Sequence, residues 1–207
     1  MKKFELTSET KINIFGKKLF RIKALVSFGV VKTGETGGWV EKEENVNQSG
    51  DAWVFGNAEV FGNARVSGNA RVFGNARVFG NAEVSDNAWV SGDAEVFGNA
   101  RVSGDAWVFG DAEVFGNARV SGNAEVSGNA EVSGNADYTT IHGFGTQFRT
   151  TTFFRCKDKQ VKVSCGCFYG TIPEFREQVK NTRDGKIAEE YLMIADLMEK
   201  HFAEEAK

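Results

Sequence analysis

Residues 62–85 read "GNARVSGNARVFGNARVFGNAEVS", four six-residue units in succession that differ only at their fourth and sixth positions. The unit, Gly-Asn/Asp-Ala-x-Val-Phe/Ser, begins at Gly50 and continues without insertion to Thr139, which makes fifteen units. Asp86 is the one replacement of the leading Gly, and Tyr138 the one replacement of the Val. Ala and Val stand two apart, so both side chains face one side of a strand while x faces the other. Gly takes positive φ without a steric cost and Asn tolerates turns, so each unit reads as one short strand followed by one corner.

The number of units per coil follows from the residue after Val. Every third unit gives Ser67, Ser85, Ser103, Ser121 and Thr139 in one series, and Phe61, Phe79, Phe97, Phe115 and Ser133 in a second. The third series is Phe55, Phe73, Ser91, Phe109 and Ser127. Phe and Ser sort with a period of 18, so the expected object is an all-β, triangular β-solenoid of five coils. Neighbouring coils are then about 4.8 Å apart, the ordinary strand spacing.

Val with a small residue four positions later, recurring every six, resembles the hexapeptide repeat of left-handed β-helices. The left hand is implied by that resemblance alone, since general crossover rules favour the right. The chain also resembles a group of bacterial and phage-borne accessory proteins with Gly-Asn-Ala-Arg repeats. In these the repeat is preceded by segments like "KLFRIKALVSFGVVKTGETGGWVEKEEN" (18–45) and followed by segments like "CGCFYGT" (165–171). This second resemblance covers nearly the whole length. It implies a counter-defence or host-modifying role, and names no target.

The totals narrow the function classes. The chain has 207 residues, with 24 Gly and a single Pro, a composition of regular tight turns rather than of a linker. A net charge of −3 does not favour nucleic acid. No stretch of 18 apolar residues is present to span a membrane, and the N-terminus has no apolar run of a secretory signal. Three cysteines, Cys156, Cys165 and Cys167, suit a reducing cytoplasm better than a disulfide framework.

Three segments are expected: an N-terminal cap over 1–49, the fifteen hexapeptides over 50–139, and a C-terminal cap over 140–207. "KINIFGKKLFRIKAL" reads as a hairpin around Gly16 and Lys17, and 38–49 as a degenerate coil with Val40 and Val46 in the Ala slot. "FRTTTFFRCKDKQVKVSCGCF" reads as two strands around Asp158 and Lys159. Thr171 with Glu174 three residues later is a capping box, with Pro173 in the first turn of a helix carrying Phe175 and Val179. A longer helix places Ile187, Tyr191, Ile194, Met198 and Phe202 on one face. The two helices are expected to form a hairpin packed on the last coil, so the C-terminal cap is a β-hairpin plus two helices.

The x positions sort by face as well. Trp53, Arg71, Trp89, Trp107 and Glu125 share one face, flanked by Phe55, Phe73 and Phe109, and the adjacent face carries the Phe61, Phe79, Phe97, Phe115 column. Outward aromatics in a contiguous patch point to contact with a partner or a second copy. The expected binding surface is therefore Trp53, Arg71, Trp89, Trp107, Phe61, Phe79, Phe97 and Phe115. The bland alternative is stacking between coils alone. The units hold twelve acidic residues against five Arg and no Lys, a solvated face that keeps the rod soluble.

Chemistry is weakly signalled. Hexapeptide-type acyltransferases resemble this repeat and use a histidine, but only His142 and His201 are present and neither lies in the units. No inserted loop walls a coenzyme pocket. The three cysteines with His142 lack the spacing of a zinc site. The reading is a non-enzymatic binding or scaffold protein without cofactor or metal. It is expected to form a closed dimer or trimer and to bind and inhibit a host defence protein for a phage or mobile element. The alternatives are an acyltransferase using His142, and a structural element that polymerises.

Overall fold

The computed structural model describes residues 2–203. From Trp53–Val54 (β4) to Glu131–Val132 (β17) a two-residue strand recurs every six residues, fourteen strands in all. Each of the first eleven pairs in parallel with the strand eighteen residues on, as Trp53 with Arg71, Glu59 with Arg77 and Arg65 with Glu83. Three parallel sheets result, one per face of a β-solenoid. The period inferred from the Phe and Ser columns is thus the period of the coil.

The interior is two kinds of side chain. Every Ala and Val of these strands is buried in one continuous cluster, while x and the sixth residue point outward. At most corners the turn is closed by a backbone bond such as Ala58 N–H to the Phe55 carbonyl, 3.1 Å. Gly56 takes φ +58° at its first central position, the place where such turns demand glycine. Asn side chains then form ladders up the corners. Asn63 donates to Asn81 (3.2 Å), Asn81 to Asn99 (3.0 Å) and Asn99 to Asn117 (3.3 Å). Asp86, the one non-glycine at this place in the coils, also takes positive φ, and its carboxylate accepts the Gly104 N–H at 3.0 Å.

The N-terminal hairpin is β1 (Phe4–Ile12) and β2 (Lys18–Ala24), antiparallel around Gly16. β2 pairs antiparallel with β3 (Thr36–Val40), and β3 in turn pairs parallel with Glu59–Val60 (β5). The degenerate coil exists, but Val40 and Val46 stand in the Val slot and not in the expected Ala slot: they pair with Val60 and Val66. Two extra residues lie between Val46 and Val54, and Gln48 among them explains the detour. Its Oε1 accepts the N–H groups of Lys3 and Phe4, and its amide donates to the Phe4 carbonyl, tying down the start of β1. Asn45 stands in for a strand, its amide donating to the carbonyls of Ala64 (2.9 Å) and Gly62 (3.2 Å).

The fifteenth unit leaves the coil. The Asp137 carboxylate accepts the N–H groups of Ser133 and Gly134, and Tyr138 opens β18 (Tyr138–Phe144). With β19 (Arg149–Arg155), β20 (Val161–Cys165) and β21 (Phe168–Thr171) it forms a four-stranded antiparallel sheet, of which the expected hairpin is the middle. The capping box of Thr171 and Glu174 starts α1 (Ile172–Thr182), and α2 (Gly185–Phe202) follows. The helices do not pack on the last coil as expected. They cover the far face of this sheet, where Phe153 and Val163 meet Phe175, Val179, Tyr191, Ile194, Met198 and Phe202. Alternation along β19 is the reason: Phe154 points the other way and joins the core of the coil with Cys156.

Two glycines on one edge of the rod separate the contributions at a corner. Gly104 and Gly122 have φ of +68° and +67°, but a Cβ at 104 would lie 2.9 Å from the Gly122 nitrogen while one at 122 meets nothing. Gly122→Ala should cost about 1–2 kcal/mol from the left-handed backbone. Gly104→Ala should cost about 1–3 kcal/mol more from overpacking against the next coil. Chemical denaturation of the two variants measures the difference.

Candidate functional site

The expected aromatic surface divides once the caps are in place. Trp53 is not on it. The N-terminal cap buries Trp53 completely, with the rings of Phe4 (5.8 Å) and Phe28 (5.3 Å) edge-on to it. Gly37 makes room, since a Cβ there would lie 2.6 Å from the indole. Phe61 is likewise buried, under Phe15 of the hairpin tip and beside Leu19 and Trp39. The first coil of a solenoid presents an open edge that must be covered, and these two rings are what the cover grips.

The remaining residues do come together, in two strips. On one face Trp89 and Trp107 stack at 4.9 Å with their planes 5° apart, and Trp107 is 43% exposed. The Arg71 guanidinium lies over Trp89 at 5.3 Å, a cation–π contact. Phe73 meets Trp89 edge-on at 5.9 Å. A slot of about 250 Å³ opens between Phe73, Trp89, Ser91, Trp107 and Phe109. The second strip is Phe79, Phe97 and Phe115, stacked at 5.0 Å. Phe15 extends it, its ring tilted 38° to that of Phe79 at 5.2 Å, and Ile14 at the hairpin tip is 79% exposed. The slot and the hairpin tip are the additions to the surface expected from sequence. The interruption of a Phe column by Ser91 was the one signal for the slot.

Charges between the strips are mostly paired. Arg77 meets Glu95 at 3.3 Å, Lys11 meets Glu59 at 2.8 Å, and Lys157 from the C-terminal sheet meets Glu113 at 2.7 Å. Such half-exposed pairs each contribute at most about 1 kcal/mol. They order the surface more than they stabilise the rod.

The groups considered for chemistry stand apart. His142 is exposed on β18, with Nδ1 3.3 Å from the Thr150 hydroxyl, and His201 packs its ring against Phe202 near the end of α2. Among the described residues no three His, Cys, Asp or Glu side chains are grouped to hold a metal. The cysteines do not cluster. Cys156 is in the core of the coil, where burial first and then Asp158 push its thiol up to about 11. Cys165 accepts a hydrogen bond from the Thr151 hydroxyl at 3.1 Å, and with exposed Cys167 it lines a cleft of about 170 Å³ between the sheet and the helices. No helix is long and apolar enough to cross a membrane among the described residues.

Three stretches of the coil, residues 64–79, 70–86 and 94–110, are similar to a family model described as the YdcK beta solenoid repeat. No curated protein sequence matches the chain.

The cysteine environments predict an order of alkylation by iodoacetamide at pH 8. Cys167 should react first and Cys165 more slowly, because the thiolate is the reactive form and access controls its attack. Cys156 should remain unlabelled until the coil unfolds, as peptide mass mapping with and without denaturant will show.

Proposed function

We propose that this β-solenoid protein with YdcK-type repeats is a non-enzymatic binding protein that engages a protein partner through the Trp89–Trp107 strip. The observation that carries this reading is an excess of outward aromatic surface over what the coil needs. The interior is Ala and Val on all three faces, so any outward residue is compatible with the same core. Yet within the repeat units Trp is confined to one face, and a half-exposed Trp107 remains beyond both caps. Large aromatics on a rigid platform are the residues that dominate interface energetics.

The Phe79–Phe115 strip with Ile14 and Phe15 supports self-association, since both are apolar, adjacent and outward. Caps cover both ends of the rod, so association through this strip is lateral and closed, a dimer or trimer. The resemblance to phage-borne accessory proteins supports a host protein as the partner and inhibition as the outcome, in the reducing cytoplasm that three free cysteines suit.

Trp89→Ser with Trp107→Ser tests the binding face. The double variant should keep the far-UV circular dichroism of the parent and lose about 0.5–1.5 kcal/mol of stability with the ring stack. Recovery of partner protein from bacterial lysate on the immobilised rod should fall at least tenfold. Recovery unchanged by the double substitution would remove the Trp strip from any binding role. Light scattering at micromolar concentration tests self-association, and a mass equal to one chain would contradict it.

A further inference from the structure

We infer that the slot over Ser91 receives a single aromatic side chain of the partner protein, one flanked in its own sequence by lysine or arginine. This rests on the reading of the Trp face as a protein-binding surface, and specifies how that face recognises its target.

Along the rod axis the slot has the width of one missing ring. Phe73 and Phe109 lie two coils apart in one column, about 9.6 Å by strand spacing. Ser91 occupies the rung between them, and Trp89 and Trp107 form the side wall. On the neighbouring column, where no Phe is omitted, rings repeat at 5.0 Å. A planar ring entering over Ser91 therefore meets aromatic carbon on both axial sides at contact distance. The lining side chains bring only the Ser91 hydroxyl and two indole N–H groups as polar atoms. A saccharide would bury several hydroxyls there without partners, whereas an aromatic ring buries none.

The rim supplies the charge preference. Asp93 follows Ser91 by two residues and Asp111 follows Phe109 by two, so they are successive rungs of one corner ladder. Asn75 donates to Asp93 Oδ1 at 3.0 Å, but between Asp93 and Asp111 the ladder has no amide donor. This is the one place among the corner rungs where two carboxylates are stacked a single coil apart. Both are exposed, and Lys157, which reaches the Asp111 backbone, is engaged by the Glu113 carboxylate and the Asp111 carbonyl. Stacking like charges destabilises the ladder. A cation arriving beside the inserted ring relieves that repulsion.

The test uses the full chain and short peptides observed by saturation-transfer NMR at low salt. Acetyl-Lys-Trp-Lys-amide should receive saturation at its indole protons, with half-saturation in the millimolar range. Acetyl-Glu-Trp-Glu-amide should bind at least fivefold more weakly, and Asp93→Asn with Asp111→Asn should remove that difference. Ser91→Phe supplies the missing ring from within. It should abolish transfer to the peptide while raising the melting temperature by roughly 2 °C, the shift expected of a modest stabilising contact in a chain of this size. Equal binding of the two peptides, or transfer that survives Ser91→Phe, would overturn the proposal. Retention of lysate partner by Ser91→Phe but not by the Trp double variant would overturn ring insertion while leaving the Trp face as a binding surface. Retention by both would overturn the face reading itself.

Discussion

The register of one coil on the next is the constraint from which the rest of the molecule follows. The x and sixth residues of each unit donate their amides to carbonyls on the following coil, as Glu95 does to Ala112 and Phe97 to Val114, both at 2.9 Å. Because that step is eighteen residues, like sits above like. Val lies on Val, Asn donates to Asn, and Phe stacks on Phe. Parallel in-register stacking makes ladders of polar and aromatic side chains favourable without further design. It also forces glycine at the corners, where a Cβ at most of them would approach the backbone of the coil beyond to about 3 Å.

Inside and outside obey different periods, and this separation gives the rod its use. The core repeats every six residues, because all three faces present Ala and Val. The surface repeats every eighteen, because Trp, Phe, Glu and Arg are sorted by face. Folding requires only the first. The second is a free choice of what each face displays, limited at the ends by the caps. There the open edge donors of the last coil are taken by side chains: Thr152 accepts the Glu125 N–H and Asn135 the Arg119 N–H, each at 3.0 Å. Phe154 closes the core beneath them. Edges satisfied in this way cannot template another chain.

What the sequence made legible is what is local or periodic. The coil period, the inward Ala and Val, the hairpin at Gly16 and the capping box at Thr171 all follow from spacing, and the structure has each of them. What it hid depends on contacts distant along the chain. Trp53 and Phe61 have the same pattern as Trp89 and Phe79, and only the approach of Phe4, Phe15 and Phe28 from the N-terminal segment buries them. The two extra residues before Ala52 break no local rule and are explained by the bond of Gln48 to β1. That Phe153 and Phe154 serve two cores, which places the helices on the sheet and not on the last coil, is likewise not stated by the sequence alone.

Deletion within the rod tests the register most directly. Residues 92–109 are one complete coil that neither cap touches through the side-chain contacts described above. Their removal leaves Ser91 followed by Gly110 and every column intact. Removal of 92–100 instead shifts the repeat by half a unit and brings Ser103 and Asp105 into the inward Ala and Val slots, with Val102 at an outward corner position. Thermal unfolding followed by circular dichroism should show a single cooperative transition for the first variant, a few degrees from that of the full chain. The second should lose that transition or have it fall by tens of degrees. Comparable melting of the two variants would contradict an eighteen-residue coil held by inward Ala and Val.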